Sequence, residues 1–157
     1  MCSRLRWIIS SDWLRGLLLA CLLATCGGVV ATDSNSVGTI AVVVRSDSSI
    51  RLMTRDEVYA MFVLDRRGDF HPIDLPESDP TRGAFYMRLA QKNLTMMRAL
   101  RAKLVFTGAG RPPQQLDMPA LLGRLAADNK AIAYLPATDL PSGTRSVAIL
   151  QPDPSAP

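Results

Sequence analysis

The chain contains a single histidine, His71. A Ser-His-Asp catalytic set would have to rest on it, because the imidazole takes the proton from the nucleophile. His71 adjoins Pro72 on a segment that reads as an edge strand, so secreted hydrolysis ranks last among the function classes. Thiol chemistry has no residue to use, since Cys2, Cys21 and Cys26 all fall in the first 26 positions. One histidine and no clustered carboxylates leave no metal site in the pattern. Ser78-Asp79-Pro80 reads as a helix entrance, with Asp79 as N-cap and Pro80 at the first helical position. In the plain reading Ser78 and Asp79 do no more than cap that helix, and Arg82 is a solvated first-turn residue. Thr107-Gly108-Ala109-Gly110-Arg111 lacks the lysine and hydroxyl residue of a phosphate loop. It reads instead as a helix C-terminal turn in which glycine supplies positive φ.

The elements around these residues follow from periodicity. Thr39–Val44 is a β-branched run of the kind buried on both sheet faces. Thr54 and Glu57 form a capping box that starts a helix with Val58, Met61 and Phe62 on its apolar face. Phe70–Leu75 is an edge strand at best, because Pro72 has no ladder donor. Phe85 and Leu89 lie four apart on the helix that Asp79 opens, and Leu94, Met97, Leu100 and Leu104 continue at helical spacing. Pro112-Pro113 prevents helix from resuming. A fourth helix starts near Asp117 and buries Leu121, Leu122 and Leu125, and strands follow at Ala131–Leu135 and Val147–Leu150. Met87, Met96, Met97 and Met118 read as gap-filling core residues. Strand, helix, strand, three helices and two strands make an α/β layered domain.

Arg4, Arg6 and Arg15 precede an uncharged stretch, Gly16–Ala31. It falls short of the ~20 apolar residues that span a bilayer. Basic flank, short apolar core and small residues at the boundary are the pattern of a removable export signal over residues 1–31, cut near Ala31. Leu23-Ala24-Thr25-Cys26 approaches a lipid-attachment motif, but Thr25 matches it poorly. Beyond the signal the chain keeps 15 basic and 13 acidic residues, a net +2. So balanced a surface does not favour nucleic acid or a polybasic membrane contact. The expected organisation is a signal at 1–31, one domain at 37–150 and a proline-rich loose tail at 151–157.

Several stretches, in order, resemble short exported proteins related to the substrate-binding components of phosphate ABC transporters. Thr39–Val44 matches the family's first strand, and Tyr59-Ala60-Met61-Phe62 its "L..IF" segment. Arg66–Phe70 and Pro72-Ile73-Asp74-Leu75 match its basic turn and "P-v-d" strand. Ser78–Phe85 stands at its Ser-Gly-Thr-x-x-x-Phe helix entrance, and Leu104–Pro113 is the most specific match. Ala131-Ile132-Ala133-Tyr134 stands at its "aIGY".

The resemblance implies a periplasmic-binding-protein-like α/β domain, one lobe with a mixed sheet flanked by helices. It implies a non-enzymatic, cofactor-free periplasmic protein that recognises a small anion such as phosphate for a membrane transport or sensing partner. The ligand set it implies is Ser78, Thr81, Arg82, Thr107, Gly108 and Arg111. In this picture hydroxyls and helix N-terminal amides offer neutral donors and an arginine offers charge. The sequence departs from the family where a transporter component carries an anion-binding arginine: here that position is Asp74, which repels a nearby anion. Asp79-Pro80 replaces a single glycine, Ala133 replaces the glycine of "IGY", and a second lobe is missing. These departures support a second reading, a ligand-free adaptor or sensory accessory that docks on a membrane receptor or kinase.

Overall fold

The structure, a computed structural model, describes residues 38–152. The expected export signal, its cleavage point and Cys26 lie outside the described residues, as does the tail beyond residue 152.

Strand β1 (Ile40–Arg45) is the centre of the fold, with Ile40 to Val44 at 0% exposure. Successive side chains point to opposite faces, so a run buried throughout needs cover on both. Antiparallel neighbours flank it: β4 (Ala131–Pro136) on one side and β5 (Thr144–Leu150) on the other. Outside β4 lie β2 (His71–Asp74) and β3 (Gln114–Gln115), both running parallel to their neighbours. The sheet is therefore mixed, in the order β3-β2-β4-β1-β5.

Helix α1 (Arg55–Phe62) starts where the Thr54 hydroxyl accepts from the Glu57 amide at 3.3 Å and the Glu57 carboxylate accepts from the Thr54 amide at 2.7 Å. Val58, Met61 and Phe62 form its buried side, as their spacing predicts. Helix α2 (Pro80–Ala90) is capped by Asp79, whose side chain accepts from the Thr81 amide at 2.8 Å. It ends at Gln91 in the left-handed region, φ 53°. Asn93 then caps α3 (Leu94–Phe106), and Asp117 caps α4 (Met118–Ala127). Helices α2 and α4 pack on the central strands, whereas α3 packs mainly on α2 and buries only Met97.

Four expectations need correction. The Pro72 segment is not an edge strand, because β3 pairs outside it. That pairing covers only Ile73 and Asp74, so the sheet asks for no donor from Pro72 on that side. The short β3 itself carries no apolar signal, since both its residues are exposed glutamines. Leu122 is 36% exposed, because the core contacts of α4 are met by Leu121 and Leu125 one turn apart. Met87 and Met96 are also outside the core, leaving Met97 as the buried methionine of this region.

Candidate functional site

The last residue of β2, Asp74, is fully buried. A carboxylate out of water is costly unless hydrogen bonds and opposite charge replace its hydration. Four side chains do so here. Its Oδ1 accepts from the Tyr134 hydroxyl, and its Oδ2 accepts from the Tyr86 hydroxyl at 3.0 Å. The Arg101 guanidinium lies 2.9 Å from Oδ2 and that of Arg82 lies 3.3 Å away.

Both phenols use each half of their hydroxyl. Tyr134 donates to Asp74 and accepts from the Leu75 amide at 3.1 Å, while Tyr86 donates to Asp74 and accepts from Arg101. Burial, reinforced by the Asp74 charge, pushes both phenols well above their ordinary pKa, so they remain protonated donors. An aromatic cluster fixes their positions. Phe85 stacks on Tyr134 with ring centroids 3.8 Å apart, and Phe62 meets Phe85 edge-on at 5.1 Å.

The arginines reach Asp74 from two helices. Arg82, in the first turn of α2, also donates to the Leu75 carbonyl at 3.0 Å. With its amide turned to face that guanidinium, Gln115 of β3 accepts from Arg82 at 3.0 Å. Arg101, from the middle of α3, lies over the Tyr86 ring at 4.8 Å from its centroid. Two cations thus meet one carboxylate. The Nε of each arginine is buried without an acceptor, so donor capacity is left over as well as charge.

Arg82, Arg101 and Gln115 line a cleft of about 550 Å³. Leu94, Met97, Val105, Phe106 and Pro112 form its apolar wall. At the rim, Arg98 and Glu77 pair with each other at 3.4 Å and are well exposed. That pair cancels, so the charges around the cleft, Asp74 included, sum to one positive.

The residues expected from the resemblance are placed as follows. Ser78 is exposed, and the Thr81 amide is committed to the Asp79 carboxylate, with Thr81 itself buried. Arg82 is 4% exposed and lines the cleft, not the solvated residue of the plain reading. Thr107 caps the end of α3, its hydroxyl donating to the Lys103 carbonyl at 2.9 Å, and Gly108 follows with φ +66°. Arg111 is exposed, its amide donating to Asp65 at 2.9 Å. A Cβ on Gly110 would come within 3.2 Å of the Asp65 Cβ, so glycine permits that approach. Of the six, only Arg82 lies in this cleft.

Asp74, expected only as a repulsive departure, is the centre of the cluster. Arg101 and Tyr86 were missed, although each carries a signal. Arg101 continues the apolar spacing of Leu94, Met97 and Leu104, where a charge needs a buried partner. Tyr86 lies four residues after Arg82 on the same helix face. His71 lies elsewhere: its Nδ1 is 2.8 Å from Asp128, and its side chain is half-exposed. Its hydrogen bond, followed by that from the Lys130 amide, holds the Asp128 carboxyl below its ordinary pKa. Among the described residues no group of three or more His, Cys, Asp or Glu side chains could hold a metal ion.

The mixed α/β fold is that of a periplasmic-binding-protein domain, at the size of one lobe. An ABC-type phosphate transport receptor from Vibrio cholerae is similar to this chain with a TM-score of 0.52 and 9% identity, over 71% of this chain and 46% of its own. A putative phosphate ABC transporter substrate-binding protein with bound phosphate from Clostridium perfringens gives 0.53 and 11%, over 71% and 45%. The chain therefore spans less than half the length of either protein. No protein-family model and no curated protein sequence matches it.

Proposed function

We propose that this chain is an exported, non-enzymatic solute-binding domain that takes a small anion into the cleft between α2 and α3 and serves a membrane transport or sensing partner. The observation that carries this reading is the surplus charge at the base of the cleft, where Arg82 and Arg101 share the single carboxylate of Asp74. In a site of low dielectric a surplus cation favours an entering anion more strongly than a surface arginine does. The likeness in fold to two receptors described as phosphate-transport proteins supports the class of ligand.

Within the ligand set suggested by the resemblance, this reading keeps Arg82 and adds Arg101 and Gln115. It leaves out Ser78, Thr81, Thr107, Gly108 and Arg111, because the cleft is built from other residues. Export through the signal at 1–31 and a domain starting at residue 37 belong to the same proposal.

Titration calorimetry of the purified protein against phosphate, sulfate and carboxylates tests it. The expected result is binding that weakens with added salt and is lost in Arg101→Gln, which removes the surplus charge and leaves Arg82 with Asp74. Absence of heat with every anion at millimolar concentration, or undiminished binding by the variant, overturns it.

A further inference from the structure

We infer that the occupant of the cleft is an amphipathic organic monoanion: a carboxylate head on Arg82 and Arg101, and an apolar body along the wall that α3 provides. This inference rests on the reading above and narrows its ligand.

Three observations select that chemistry. The first is size. A cleft of about 550 Å³ falls in the range of ~300–1,000 Å³ that accommodates drug-sized ligands. An inorganic oxyanion, equivalent to only a few water volumes of about 30 Å³ each, would leave most of it filled with water.

The second is the wall. Between the two arginines and the open rim, the lining is Leu94, Met97, Val105, Phe106 and Pro112. Phe106 is 92% exposed and Val105 is 54% exposed, although both side chains border the cleft. Covering such surface with an apolar body releases free energy at about 25 cal/mol per Å². A phosphate ion gains nothing from it.

The third is charge. Two cations and one carboxylate leave a surplus of one at the base, and the Arg98–Glu77 rim pair leaves this unchanged. A monoanion neutralises that surplus, whereas a dianion overshoots it beside the buried Asp74.

Calorimetry with acetate, octanoate, inorganic phosphate and octanol separates these elements. Octanoate should bind at least roughly tenfold more tightly than acetate or phosphate, because only it covers the wall. Octanol, with the same body and no charge, should not bind measurably. Val105→Ser with Phe106→Ser, which adds no charge, should weaken octanoate by roughly tenfold or more and leave acetate unaffected, with little change in the thermal midpoint, since both side chains are exposed. Phosphate binding as tightly as octanoate, and lost in Arg101→Gln, overturns this inference but leaves the anion-binding function standing. Octanol binding as well as octanoate removes the head-group assignment, and indifference to the double substitution removes the wall. No binding by any of the three anions overturns both readings together.

Discussion

The two sides of the cleft are built on opposite principles. On one side, β2, β4 and α2 close around Asp74 until every polar atom of its carboxylate and both phenols is engaged, with an aromatic cluster behind them. On the other, α3 buries one residue, Met97, and leaves Val105 and Phe106 in solvent. Arg101 ties the two together by a buried charge contact, and the exposed Arg98–Glu77 pair adds a second at the rim. A buried carboxylate and two phenols with every oxygen engaged favour one geometry, because moving any of them leaves a partner unmet. Helix α3, held by Met97, by Arg101 and by the half-buried Leu94, Leu100 and Leu104, has less to lose by shifting. The fold thus joins a rigid floor to a loosely held wall, and the cleft is where they meet.

Removing the carboxylate is the largest way to break that contrast. Asp74→Ala should destabilise the protein by about 3–5 kcal/mol, because Arg82 and Arg101 are then buried as cations with no counter-charge. Urea denaturation followed by far-ultraviolet circular dichroism measures it. A loss near that of an ordinary surface substitution would mean that the floor is not held by this network.

Alkaline pH tests the same floor without mutation. Burial raises the pKa of Tyr86 and Tyr134 above the ordinary 10.0, while the unfolded chain titrates at its ordinary value. The folded state therefore keeps protons that the unfolded state releases, and stability falls as pH rises above about 10. Each tyrosine contributes up to about 1.4 kcal/mol per pH unit in that window, and the contribution is complete below it. Thermal midpoints across the window should fall less steeply for Tyr134→Phe, which removes one of the two groups. The smallest effect is expected on the wall. Phe106→Ala should change stability by no more than about 0.5 kcal/mol in the same denaturation assay, because its side chain has almost no contact to lose.

Much of the floor was legible in the sequence. The capping box at Thr54–Glu57, the Asp79-Pro80 entrance, and the buried runs Thr39–Val44 and Ala131–Leu135 each come from local rules, and local rules suffice there. The stretches that carry the family resemblance also converge in space: Pro72–Leu75 supplies Asp74, Ser78–Phe85 supplies Arg82 and Phe85, and Ala131–Tyr134 supplies Tyr134. The site was harder to read because its logic is pairwise and distant. Asp74 and Tyr134 lie sixty positions apart, and nothing local to either announces the other. Reasoning from Asp74 alone gives repulsion of an anion. Adding Arg101 from α3 reverses the sign. Strand β3 escaped for a different reason, since two exposed glutamines after two prolines carry neither periodicity nor apolar content.

That short strand has a consequence for how the molecule behaves among its own copies. The outer edge of a sheet offers free amides and carbonyls to any extended segment that arrives, and it is where intermolecular ladders and aggregates begin. On the β3 side the edge strand is two residues long, and Pro113, immediately before it, has no amide hydrogen to offer. The Asp117 cap of α4 closes the other end. A strand arriving at β3 would find too few bonds to hold its register, so β3 both delivers Gln115 to Arg82 and guards that side of the sheet, leaving the seven-residue β5 as the longer edge.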